Sequence, residues 1–170
     1  WAVTLATYLM SSPLQGGLNF PATYTAWIYS TFACAAIVAP LLVGLLADRL
    51  FNAEKVMGTC HLLGSVLLFM AARVCAERQT EIETAFRAGA ESETARIVDA
   101  AFPPLLLIWS GFALCTIVGN TLCNVIAYRN LRDPRQSFGT IRACGTSGWI
   151  VAGLLLGTVI DPISPRPLFI

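Results

Sequence analysis

No charged residue occurs between Trp1 and Ala47. Further uncharged runs cover Val56–Ala72, Ala100–Tyr128 and Ala143–Ile160. A helix needs about 20 mostly apolar residues to cross roughly 30 Å of hydrocarbon. Several of these runs reach or approach that length, and in lipid a helix satisfies its backbone polar groups internally. The composition agrees. Hydrophobic residues make up 56% of the 170 residues and charged residues only 12%, against roughly 25% charged in soluble domains. Mean hydropathy is +0.67. The fold class expected is therefore all-α, a polytopic bundle of transmembrane helices within one domain.

A net charge of +1 carries no signature of nucleic-acid binding, which needs a basic surface. The six cysteines, Cys34, Cys60, Cys75, Cys115, Cys123 and Cys144, lie in or beside the apolar runs without a CxxC spacing. They read as small buried apolar residues and not as a disulfide framework or a metal site. The N-terminus lacks the basic region of a cleaved signal peptide. Trp1 opens an apolar stretch of half-span length, and the tail turns apolar again after Pro165. The chain is expected to be a piece of a longer membrane protein.

The spans expected are 1–10 in part, 23–46, 54–75, 103–128 and 138–160. Pro13, Gly16, Gly17, Asn19 and Pro21 mark a turn-rich link before the second. Tyr24, Trp27 and Tyr29 cluster near its start, as belt aromatics do at a membrane interface. Pro40 should kink it. Residues 76–100 hold six acids and three arginines. They read as a partly helical extramembrane insertion with a solvated face. The proline pair Pro103-Pro104 suits a first helical turn.

Lys and Arg in short loops set orientation. The 47–55 and 127–137 loops hold Arg49, Lys55, Arg129, Arg132 and Arg135. The other side holds Arg73, Arg78, Arg87, Arg96 and Arg166. The count ties, and the denser short loops favour the cytoplasmic side.

Four patterns could carry chemistry. Arg142 sits just inside the fifth apolar run, with Thr146 and Trp149 at i+4 and i+7 on the same helix face. A cation there either snorkels to the interface or faces the bundle interior or water. Guanidinium, hydroxyl and indole together can bind a polar ring at its edge and on its face. Thr116, Asn120 and Asn124 recur every four residues on the fourth helix, where carboxamides glue helices together or line a polar cavity. His61 stands alone in the third span, either as a structural residue or as a proton carrier. Gly153 and Gly157, preceded by Gly145 and Gly148, permit close helix approach on the fifth. No phosphate loop, Ser/His/Asp set or metal-ligand cluster stands out, so neither an enzyme nor a cofactor is expected.

The loop Gly44-Leu-Leu-Ala-Asp48-Arg49 resembles the helix 2–3 loop of the major facilitator superfamily. Its continuation Leu-Phe-Asn-Ala-Glu-Lys55 departs from the general motif and resembles the bacterial nucleoside:proton symporter branch. Cys60-His61 with Gly64 and Leu68-Phe69-Met70-Ala71-Ala72 is similar to that branch's third helix. Tyr128-Arg129-Asn130-Leu131 is similar to the end of its fourth, and Arg142-x-x-Gly145-Thr146-x-Gly148-Trp149 to its fifth. Residues 76–100 read as an insertion relative to the family.

The resemblance implies two six-helix halves that rock about a midplane site. This chain would supply the end of helix 1 through helix 5 of the N-terminal half. It implies a multi-pass inner-membrane protein with the short charged loops in the cytoplasm. Arg142 and Thr146 would contact the nucleoside, and Trp149 would line the same pocket. Asp48 and Arg49 would form part of a gate. Trp149, Cys144 and Ser147 depart from the family's usual Phe, Trp and Ile and bear on substrate preference. Nucleoside, protons, the bilayer and the remaining helices are the partners expected. A carrier of another polar solute, such as a sugar, and a non-transporting membrane subunit are the alternatives.

Overall fold

A computed structural model of the chain describes residues 2–49, 52–155 and 158. The side chains of 2–4, 45–49 and 134–136 lie outside that description. The described residues form five α-helices and no strand: α1 (Ala2–Met10), α2 (Ala22–Arg49), α3 (Ala53–Arg87), α4 (Glu91–Asn130) and α5 (Pro134–Leu155). A short 3₁₀ turn, Pro13–Gln15, lies between α1 and α2. The chain divides into two compact units, Trp1–Cys123 and Asn124–Ile170. Among the described residues α2, α3 and α4 are long and apolar enough to cross a membrane. The expected fifth span, 138–160, runs beyond Leu155 out of the continuous description.

Hydroxyls inside these helices are satisfied locally. Ser30, Thr31, Ser65, Ser110 and Thr121 each donate to a carbonyl one turn back. This removes an unpaired polar group from an apolar setting.

In the first unit the link after α1 folds back on that helix. The Leu18 and Phe20 amides donate to the Tyr8 and Leu9 carbonyls at 3.2 and 2.7 Å. These are carbonyls that the end of α1 leaves without intrahelical donors. The return is tight. Gly16 adopts φ +85°, and a Cβ on Gly17 would run into the Ser11 carbonyl. The fold-back delivers Leu18 and Phe20 to a core that also contains Leu9, Ile28, Ile82, Val98, Leu105 and Trp109.

Helices α3 and α4 run antiparallel, with glycines among the residues where they meet. A Cβ on Gly64 would lie 3.6 Å from the Cys115 Cβ, and one on Gly111 would lie 3.1 Å from Leu67 Cδ1. The two helices extend past the expected spans. Residues 76–100 form a continuous helical hairpin, with α3 ending at Arg87 and α4 beginning at Glu91. Alanine, glutamate and arginine favour helix at these positions. Ion pairs Arg73–Glu77, Arg78–Glu81, Arg87–Glu83 and Arg96–Glu93 add one-turn support. The turn is a Schellman motif. The Ala90 amide donates to Ala85, the Gly89 amide to Phe86, and Gly89 holds φ +70°.

Three expectations need correction. Pro103 and Pro104 lie inside α4 and not in its first turn. Each removes an N–H, so the carbonyls of Asp99 and Ala100 lose their intrahelical donors. Both residues lie on the exposed side, at the polar end of the apolar run. The cysteines are free but not buried: Cys34, Cys123 and Cys144 are exposed, and Cys60, Cys75 and Cys115 are half-buried. Cys75 packs against the edge of the core, and the three exposed ones stand on outward helix faces. Of the three supposed belt aromatics only Trp27 points outward. The Tyr29 hydroxyl accepts the Ala6 amide, and Tyr24 stacks on Phe102 with ring centroids 4.1 Å apart.

Candidate functional site

Helix α5 starts with Asp133 at the N-cap position and Pro134 at N1, both favoured there. Within the second unit the Tyr128 and Phe138 rings pack 4.2 Å apart, joining the end of α4 to the first turns of α5. Helical spacing then places Arg142, Thr146 and Trp149 within about 60° of arc on one face. All three are exposed, Trp149 by 61%. Residues 139–155 are exposed throughout. A Cβ on Gly145, Gly148 or Gly153 would meet nothing within 4 Å, and Gly157 lies outside the described residues.

The polar groups on this face are complementary. The Thr146 hydroxyl donates to the Arg142 carbonyl at 3.1 Å, so its remaining capacity outward is as an acceptor. Arg142 has only donors, and among the described residues it has no ion-pair partner. Trp149 offers a flat apolar face. The set can accept from a hydroxyl, donate to a carbonyl or ring nitrogen, and stack on a planar ring.

The other expected residues fall into separate groups. On α4, Asn120 and Asn124 are exposed and Thr116 is half-buried. The buried side of α4 is carried by Val118, Gly119 and Leu122. The stripe thus points away from the core of this chain. His61 meets α4 from α3: a Cβ on Gly119 would lie 3.1 Å from its Cε1 and 3.3 Å from its Nε2. The imidazole therefore covers the residue before Asn120, a neighbour that neither sequence segment discloses alone. Asp48 and Arg49 close α2, and their side chains lie outside the described residues.

A concavity, which no motif signalled, lies at the tip of the α3–α4 hairpin in the first unit. It encloses about 520 Å³ between the Asn19–Pro21 link and the hairpin, with Phe86, Glu91, Val98 and Asp99 among its walls. The Tyr24 hydroxyl donates to Asp99 Oδ1 at 2.8 Å beside it. The signal that could have found it is the pair of acids Glu91 and Asp99, neither of which has an arginine three or four residues after it.

Comparison with known proteins shows the family of the chain. The family model described as nucleoside H+ symporter matches residues 1–163. YegT, a candidate nucleoside transporter of Escherichia coli (strain K12), is 35% identical over 157 residues, covering 92% of this chain and 30% of its own. The nucleoside permease NupG of the same organism is 30% identical, over 89% of this chain and 30% of its own. The xanthosine permease of Escherichia coli (strain K12) is 31% identical, over 100% of this chain and 34% of its own. The chain thus spans about a third of the length of these relatives. No solved structure gives a significant match.

Proposed function

The chain belongs to the nucleoside H+ symporter family, of major facilitator type, and from that premise we propose that it is part of a carrier importing nucleosides with protons across a bacterial inner membrane. The observation that carries the reading is the exposed face of α5. Arg142, Thr146 and Trp149 supply donors, an acceptor and a stacking surface on one helix face. A nucleoside presents the matching groups: ribose hydroxyls, base-edge acceptors and a planar ring. The names of the relatives, nucleoside and xanthosine permeases, point to the same solute class.

The multi-pass character of the chain follows from its family and from the three membrane-competent helices among the described residues. In our reading the short charged loops face the cytoplasm, and the α3–α4 hairpin projects on the opposite side. Alternating access comes from rocking of this half against a second one. Asp48 and Arg49 form part of the cytoplasmic gate. Asp48 is suited to pair with a cation or a helix N-terminus of that other half. Thr116, Asn120 and Asn124 turn toward the remaining helices of the full chain and contribute to the cavity wall, since exposed carboxamides do not face lipid. His61 is the one histidine of the chain and our candidate proton site within it.

The experiment is uptake of labelled uridine and adenosine by the full-length protein in cells lacking their own nucleoside carriers, with and without a protonophore. Saturable uptake that collapses with the protonophore is the expected result. Uptake unaffected by the protonophore would remove the proton coupling. No uptake by well-expressed protein would overturn the nucleoside reading.

A further inference from the structure

The hairpin cavity lies in the first unit, and none of the residues assigned to transport lines it. Its volume, about 520 Å³, falls within the range of small-molecule sites. Pro21, Phe86 and Val98 give it apolar walls, and Asn19, Glu91 and Asp99 supply polar groups. The charge balance there is unusual for this hairpin. The arginines at 73, 78, 87 and 96 each pair with a glutamate on their own helix, namely 77, 81, 83 and 93. Glu91 and Asp99 belong to none of these pairs. One Asp99 oxygen accepts from Tyr24, which orients the carboxylate and leaves Oδ2 available.

An ionised carboxylate only accepts hydrogen bonds. A ligand for two uncompensated carboxylates must therefore bring donors. A vicinal diol does so without a charge, and an acidic side chain on ribose hydroxyls is a recurrent solution in nucleotide-binding folds. Phe86 is 41% exposed and offers a ring for a planar base, while the Asn19 carboxamide can read a base edge.

We propose that this cavity is a second nucleoside site, a capture site at the extracytoplasmic mouth, in which Glu91 and Asp99 hold the ribose diol and Phe86 stacks on the base. The ligand class rests on the nucleoside reading given above. The site itself does not depend on α5. It is a weak, open site that raises the local substrate concentration at the mouth of the carrier.

The test uses the full-length protein with Arg142→Gln and Trp149→Phe added to disable the α5 site, with and without Phe86→Trp as a fluorescent reporter, and reads the difference between the two. Adenosine should quench the new tryptophan saturably, and 2′,3′-dideoxyadenosine should do so about ten-fold more weakly. Glu91→Gln should weaken adenosine binding by a similar factor. Asp99→Asn, which keeps an acceptor for Tyr24, should do likewise without shifting the thermal midpoint. In the Arg142-intact carrier the same two substitutions should raise the KM for uptake and leave its maximal rate unchanged. Absence of saturable quenching overturns the proposal. So does equal quenching by the dideoxy analogue, which would show packing of the base alone. No uptake by the unmodified carrier with the quench retained would instead overturn the transport reading and leave this site standing.

Discussion

The His61 imidazole rests on Gly119, with its Cε1 3.1 Å and its Nε2 3.3 Å from where a Cβ on that residue would stand. The ring is the far end of an exposed side chain and can yield a few tenths of an ångström. Gly119→Ala should therefore change stability by less than about 1 kcal/mol, because the gain in helix propensity offsets the crowding. Gly119→Leu cannot be absorbed in this way and should cost about 1–3 kcal/mol. Thermal unfolding of the purified carrier separates the two. If His61 carries the proton, His61→Gln should abolish nucleoside-driven proton uptake yet preserve nucleoside counterflow. Unchanged proton uptake would leave His61 as a packing residue.

Arg142→Lys should lower uptake at low substrate by about 10- to 100-fold at equal expression. A planar fork of donors is being replaced by a single ammonium, at a loss of about 1.5–3 kcal/mol. Thr146→Val removes the outward acceptor while keeping the side-chain volume, and should raise KM more than it lowers the maximal rate. Wild-type kinetics for Arg142→Lys would end the proposed role of this face.

Gly17→Ala should destabilise the first unit by about 1–3 kcal/mol, because the added Cβ meets the Ser11 carbonyl, a backbone group that cannot rotate away. The Leu18 and Phe20 amides would be drawn off α1. The expected signature is a lower unfolding midpoint together with faster proteolysis between α1 and α2. An unchanged midpoint would mean that the link can adopt another turn.

The hairpin should respond to acid. The hydrogen bond and charge of Arg96 hold the Glu93 carboxyl below the usual carboxylate range. A lowered native pKa gives stabilisation that is complete above the unfolded value, about 4.3, and is lost as pH falls through the native one. Both groups are solvent-exposed, so the effect is small and screened by salt. Hydrogen exchange of the hairpin amides between pH 5 and pH 3, as round settings of roughly a unit either side of that value, should show faster opening at the acid end. Glu93→Gln should flatten the difference, and an equal response in the variant would assign the acid sensitivity to other carboxylates.

Residues 76–100 read as a partly helical insertion with a solvated face, without their continuity with α3 and α4. Polarity reports the solvent around a segment. Conformation there depends on helix propensity, on the four in-helix ion pairs and on Gly89 as an αL terminator. The proline pair misled for a related reason. Pro103 and Pro104 mark a first turn only if nothing helical precedes them, and Glu91–Phe102 is helical. Tyr24 and Tyr29 passed for interface residues because the sequence does not show that Phe102, Asp99 and Ala6 stand next to them.

The sequence by itself determined the all-α membrane class, the long apolar runs of α2, α3 and α4 and the common face of Arg142, Thr146 and Trp149. Each of these depends on local properties: hydrocarbon thickness demands long apolar runs, a backbone in lipid must bond within its own helix, and 3.6 residues per turn aligns i, i+4 and i+7. Only the tertiary structure decided that His61 lies on Gly119, that Tyr24 holds Asp99 across 75 residues of chain, and that Glu91 and Asp99 share a cavity with Phe86. Those pairings arise from the packing of one helix on another, where the partner is selected by shape and hydrogen bonding over a distance that no window of sequence spans.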